Sequence, residues 1–89
     1  MRTIINVVPN DDWTLILEFE TGEKRTFDVK PLLECEAFEE LRDLNEFRKI
    51  KNNGYFVEWE NEADLSSDTL YLKSQPTGSD KELFSKEAN

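Results

Sequence analysis

Trp13-Thr14-Leu15-Ile16-Leu17-Glu18-Phe19-Glu20-Thr21-Gly22-Glu23-Lys24-Arg25-Thr26-Phe27-Asp28-Val29 is the stretch on which the fold turns. Trp13, Leu15, Leu17 and Phe19 fall at every second position, with Thr14, Ile16, Glu18 and Glu20 between them. That period belongs to a strand with one buried face. Arg25, Phe27 and Val29 share a face in the same way, and Glu20-Thr21-Gly22-Glu23 between the two runs reads as a hairpin connection. Upstream, Thr3 to Val8 is rich in β-branched residues and is closed by Pro9-Asn10-Asp11-Asp12, all strong turn formers. The first third therefore predicts a three-strand antiparallel meander with one face toward a core.

Downstream the period changes. Lys30-Pro31 ends the third strand and opens a helix, since proline suits a first helical turn. Leu33, Ala37, Leu41 and Leu44 recur as one helix face, flanked by Phe38. Asp43-Leu44-Asn45-Glu46 resembles a capping box with Asp in the first place, which breaks the helix and starts a short second one carrying Phe47 and Ile50. Asn52-Asn53-Gly54 is a turn. Tyr55 to Glu60 then alternates as a strand, with Tyr55, Val57 and Trp59 on one face and Phe56, Glu58 and Glu60 on the other. Asn61 to Leu65 is expected as a loop, and Ser67 as the cap of a last helical segment over Asp68 to Lys73 that buries Leu70 and Tyr71. The order predicts an α+β fold, a small antiparallel sheet (the N-terminal meander plus at least one later strand) packed against short helices. Residues 1–73 are expected as a single domain, and residues 74–89 as a polar, flexible tail in which Ser79 with Glu82 could start a marginal helix around Leu83 and Phe84.

Composition narrows the chemistry. The 89 residues include no histidine and one cysteine, and 20 acidic residues face 11 basic ones for a formal net charge of −9. Histidine is the usual general base and the commonest metal ligand, so its absence removes most ordinary catalytic arrangements. The negative field disfavours nucleic acid and anionic lipid, and it suits a basic protein partner. An unpaired cysteine fits a reducing compartment, and the N-terminal apolar run, broken at Asn6, is too short for a signal peptide or a membrane span. A cytoplasmic location is the expectation.

Each constellation with chemical potential has a plainer reading beside it. Glu58, Glu60, Glu62 and Asp64 alternate, so an extended chain would gather them as Mg²⁺ or Ca²⁺ ligands; a charged strand edge that resists pairing explains them equally. With 20 acidic residues, proximity of two carboxylates says little about glycoside cleavage, and the domain is small for a sugar cleft. Cys35 stands between Glu34 and Glu36 with no imidazole to act as its base, and reads as a bystander at the start of the helix. Ser66-Ser67-Asp68 lacks a base and reads as a cap. Arg42, Arg48, Lys49 and Lys51 form a basic cluster that could touch phosphate, yet Glu39, Glu40, Asp43 and Glu46 are at hand to balance it. The aromatics Trp13, Tyr55, Phe56, Trp59 and Tyr71 read mainly as core. An exposed one would anchor a partner, and Phe56, opposite the Tyr55–Trp59 face, is the first candidate.

Phe19-Glu20-Thr21-Gly22, Phe27-Asp28, Phe38-Glu39-Glu40-Leu41, Phe47, Trp59, Asp64-Leu65 and Leu70-Tyr71, taken in order, resemble the bacterial domain of unknown function family 2442, over roughly residues 2 to 73. The resemblance implies a small α+β domain of uncharacterised activity with no catalytic residues to carry over. It also implies that Asp64-Leu65 is a signature before the last helix, although Asp64 reads equally as a loop hydrogen-bond acceptor. Some relatives carry a helix-turn-helix domain after this one, and others look like the partner of a small toxin encoded next door. The residues after position 73 are too few for such a DNA-binding domain, so a repressor role is not expected. The resulting expectation is a non-catalytic protein-binding module without cofactor or metal, antitoxin-like toward a small basic toxin. Phe56, Trp59, Asp64, Leu65 and Tyr71 are its candidate contact residues. The alternative is a regulatory or ligand-sensing domain associated with transcriptional control.

Overall fold

The computed structural model describes residues 2–77. Strands β1 (Ile4–Pro9), β2 (Thr14–Phe19) and β3 (Lys24–Asp28) form the meander, joined by antiparallel pairing of Val8 with Ile16 and of Leu17 with Arg25. Alternation works as expected: Leu15, Leu17 and Phe19 are buried while Thr14, Ile16 and Glu18 are partly exposed. A register shift between Ile4 and Asn6 leaves Ile5 unpaired, so Ile4 turns into the core and Ile5 out of it.

One loop design recurs three times. In Asn10–Thr14, Phe19–Glu23 and Trp59–Ala63, the N–H of the first residue donates to the carbonyl of the fifth, at 2.9 Å in each loop. The N–H of the fourth residue returns a bond to the carbonyl of the first, at 3.1, 2.8 and 3.0 Å. The middle residue (Asp12, Thr21, Asn61) accepts the fifth residue's N–H on its side-chain oxygen. Short polar side chains imitate a backbone turn in this way. The fourth residue must adopt positive φ, and it is Trp13 (63°), Gly22 (89°) and Glu62 (72°).

Residues 30–42 are not the expected α-helix. They form two 3₁₀ segments, Lys30–Glu34 and Glu36–Arg42, broken where Cys35 is extended (φ −88°, ψ 140°). The tighter winding brings every third residue to one face, so Phe38 and Leu41 pack against the core and Ala37 is exposed. The Asp43 cap is present: its carboxylate accepts the Asn45 N–H, starting the single turn α1 (Leu44–Phe47) that buries Phe47.

A second sheet follows, from β4 (Lys51–Asn52), β5 (Phe56–Glu58) and β6 (Asp64–Ser66), in that order. The expected loop over Asn61 to Leu65 is thus corrected. The turn at Trp59–Ala63 is short enough to return the chain as a strand, pairing Asp64 with Glu58 and Ser66 with Phe56. The sheet is tied to β1 by Ile4 N–H donating to Gly54 O (2.7 Å) and by Asn52 Nδ2 donating to Ile4 O (2.9 Å). Helix α2 (Ser67–Lys73) is capped by Ser66 rather than Ser67: Ser66 Oγ accepts the Thr69 N–H, and Ser67 is buried.

Residues 74–77, placed in the tail by composition, join the fold. Ser74 is buried, and β7 (Gln75–Pro76) pairs with β3 to complete the sheet order β1-β2-β3-β7. The remainder of the expected tail, with Leu83 and Phe84, lies outside the described residues. The architecture is α+β: two antiparallel sheets and short helices enclose one core of Ile4, Leu15, Leu17, Phe19, Phe27, Val29, Leu33, Leu41, Phe47, Val57, Trp59, Ala63 and Leu70. Among the described residues no helix is long and apolar enough to cross a membrane.

Candidate functional site

The outer face of the small sheet follows from its register. Phe56 and Glu58 are two residues apart on β5, and their partners on β6 are Ser66 and Asp64, so all four side chains share one side. Lys51, opposite Glu58 on β4, joins them. Phe56 is 37% exposed there, a large aromatic with carboxylates on its own strand and the next. Asn53 Nδ2 donates to Glu58 Oε1 (3.0 Å), which fixes that carboxylate beside the ring's strand. Ile5, one residue from the Ile4–Gly54 bridge, is a further exposed apolar side chain close to this sheet.

Trp59 and Leu65 sit on the opposite, inner side. Trp59 is 2% exposed, stacks on Phe47 (centroids 6.1 Å apart), meets Phe38 edge-on and donates its indole N–H to Phe47 O (2.9 Å). Leu65, paired with Val57, packs on the core. Both support the Phe56 face from beneath and present little of themselves to a partner. Asp64 is exposed on the outer face.

Tyr71 belongs to a different place. On α2 it meets Phe19 edge-on at 5.5 Å, and its hydroxyl donates to Glu23 Oε2 (3.3 Å). Arg25, expected among the core-facing residues of β3, is half-buried because every arm of its guanidinium is engaged. Nη1 reaches Glu23 (2.8 Å), Nε reaches Ser74 Oγ (2.6 Å) and Nη2 reaches Ser74 O (2.7 Å). The Arg25 hydrogen bond, with help from Tyr71, holds the Glu23 carboxyl below the ordinary glutamate value. A cleft of about 290 Å³ opens beside Tyr71, walled by Arg2, Phe19, Glu20 and Glu23.

The remaining constellations resolve locally. The turn at Trp59–Ala63 carries Glu60 and Glu62 away from the Glu58–Asp64 pair, and among the described residues no three His, Cys, Asp or Glu side chains are grouped as metal ligands would be. The basic cluster is largely paired. Arg48 contacts Asp11 at 2.6 Å, Lys49 contacts Glu46 at 3.2 Å and Glu60 at 3.7 Å, and Arg42 donates to Leu33 O. The Glu46 hydrogen bond raises the Lys49 pKa above its ordinary value. Lys51 is exposed on β4. Sequence reasoning did not find the Arg2–Tyr71 cleft, because positions 2, 19–23 and 71 meet only through tertiary packing; the signal available was an arginine and an aromatic at opposite ends of the fold.

A family model described as protein of unknown function (DUF2442) matches residues 4–76, nearly the whole described fold. The chain belongs to that family. The matched span ends at Pro76, the last residue of β7, so the family unit and the paired sheet close at the same place. Compared with curated proteins and with solved structures, the chain matches none.

Proposed function

We propose that the chain is a non-catalytic protein-binding module that engages a basic protein through the Phe56 face of its small sheet. The observation that carries this reading is an exposed aromatic on β5, on the same side of the sheet as the cross-strand pair Glu58 and Asp64, on a chain of net charge −9. Aromatic anchors with a polar rim supply most of the binding energy at protein interfaces, and charge complementarity supplies steering. Composition supports the absence of catalysis, since no imidazole is available as a base. On this reading the partner is a small basic protein masked by an acidic one, as an antitoxin masks a toxin, and the encounter takes place in the cytoplasm.

Affinity capture of the product of the neighbouring gene tests the proposal. The chain should retain it at physiological salt, and Phe56→Asp, which leaves the core untouched, should weaken binding at least about tenfold. No retention, or equal retention by the variant, removes the basis for this function.

A further inference from the structure

We propose that the face of the Tyr71 ring at the edge of this cleft is a receptor for an arginine side chain of the basic partner, and that Arg2, which walls the cleft and stacks on the ring, is an intramolecular stand-in. The guanidinium carbon of Arg2 lies 3.8 Å from the centroid of the Tyr71 ring, within stacking distance. Planar, weakly hydrated guanidinium groups favour such a seat more than ammonium groups do. The ring is built to receive one: Phe19 sets its tilt edge-on at 85°, and its hydroxyl is anchored on Glu23.

Two arginines approach this ring, and they differ in how they are held. Arg25, 4.4 Å from the centroid, is fastened by Glu23 and Ser74 and belongs to the framework that closes β3 onto the end of α2. Its charge is matched by Glu23 at 2.8 Å. Arg2 precedes the first strand, its side chain is 46% exposed, and its one ion pair among the described residues is with Asp68 at 3.8 Å, too long for a hydrogen bond. Arg2 is therefore retained by stacking and loose electrostatics, and is exchangeable. Once it swings out, the cleft keeps Glu20 and Glu23 in its lining, Asp68 loses its Arg2 contact, and Arg25 stays as the positive neighbour of the ring among the described residues. The vacated seat is an aromatic floor in a net negative rim, the chemistry that selects arginine.

The inference deepens the proposed function and rests on it for the source of the arginine, but its test does not need the partner. N-acetyl-arginine amide and N-acetyl-lysine amide are titrated into the full chain and into Arg2→Ala, following the Phe19, Glu20 and Tyr71 resonances. The arginine probe should shift those resonances and bind Arg2→Ala at least about threefold more tightly than wild type, because its competitor is gone. The lysine probe should bind several-fold more weakly. Tyr71→Leu, checked for folding by circular dichroism, should lose the preference for arginine, while Phe56→Asp should keep it. Equal affinity of wild type and Arg2→Ala, or no preference for arginine over lysine, overturns the cleft and leaves the Phe56 reading to stand or fall by its own capture experiment.

Discussion

Three hairpin loops require positive φ at the same place, and glycine fills it only once. A side chain there costs about 1–2 kcal/mol in steric strain, so Trp13 and Glu62 hold their positions for different reasons. Trp13 is retained because its indole N–H donates to Leu41 O (2.7 Å) and its ring packs on the core. Glu62 is exposed, and its backbone N–H alone serves the loop. Glu62→Gly should therefore raise stability by about 0.5 kcal/mol, strain relief less the extra freedom of glycine in the unfolded chain. Trp13→Gly should lower it by about 2–3 kcal/mol through lost packing and a lost hydrogen bond. Urea midpoints at constant slope measure both. Alternation put Trp13 on the face of Leu15 and Leu17, and the indole does reach the core, but by way of a left-handed turn residue rather than a strand position.

At the scale of elements, adjacent serines separate two roles. Ser66 Oγ caps α2, so Ser66→Ala should cost about 1 kcal/mol. Ser67 Oγ is buried and lacks a hydrogen-bond partner among the described residues, so Ser67→Ala should be neutral or stabilising. Thermal unfolding of the two variants decides which serine is the cap. The sequence marked a cap here but not its register, because side-chain type alone does not say which of two serines stays extended. The meander was legible because its alternation is long and its turns are rich in Gly, Asn and Asp. Residues 30–42 were not, since Leu33, Ala37, Leu41 and Leu44 at spacings of four, four and three fit an α-helix on paper. The extended Cys35, which breaks the winding into 3₁₀ segments, leaves no compositional mark. Strand β6 was hidden by its acidic approach, and β4 and β7, two residues each, are too short for any period to show. Phe56 was legible as an outward aromatic by parity with Val57. Trp59 and Leu65 have the composition of contact residues, and only their pairing and packing place them inside.

Across the whole molecule, charge bears on stability and on the proposed recognition alike. Glu23 ionises more readily folded than unfolded because of Arg25, so its contribution is present above its unfolded pKa and is lost as pH falls through the lower folded value. Acid titration should therefore show wild type losing stability below about pH 4.5, with Glu23→Gln showing a shallower loss over the same range. The net charge of −9 further predicts that affinity for the proposed basic partner weakens as salt rises, through a slower association rate.

The footprint of the neighbouring gene product on the isotope-labelled chain tests the proposed docking role of the Phe56 face most directly. Amide shifts should concentrate at Phe56 to Glu58 and Asp64 to Ser66, with a second set at Phe19, Glu20 and Tyr71 where the partner's arginine would seat. Shifts confined to Arg48, Lys49 and Lys51, or spread over the outer face of the meander, would contradict it.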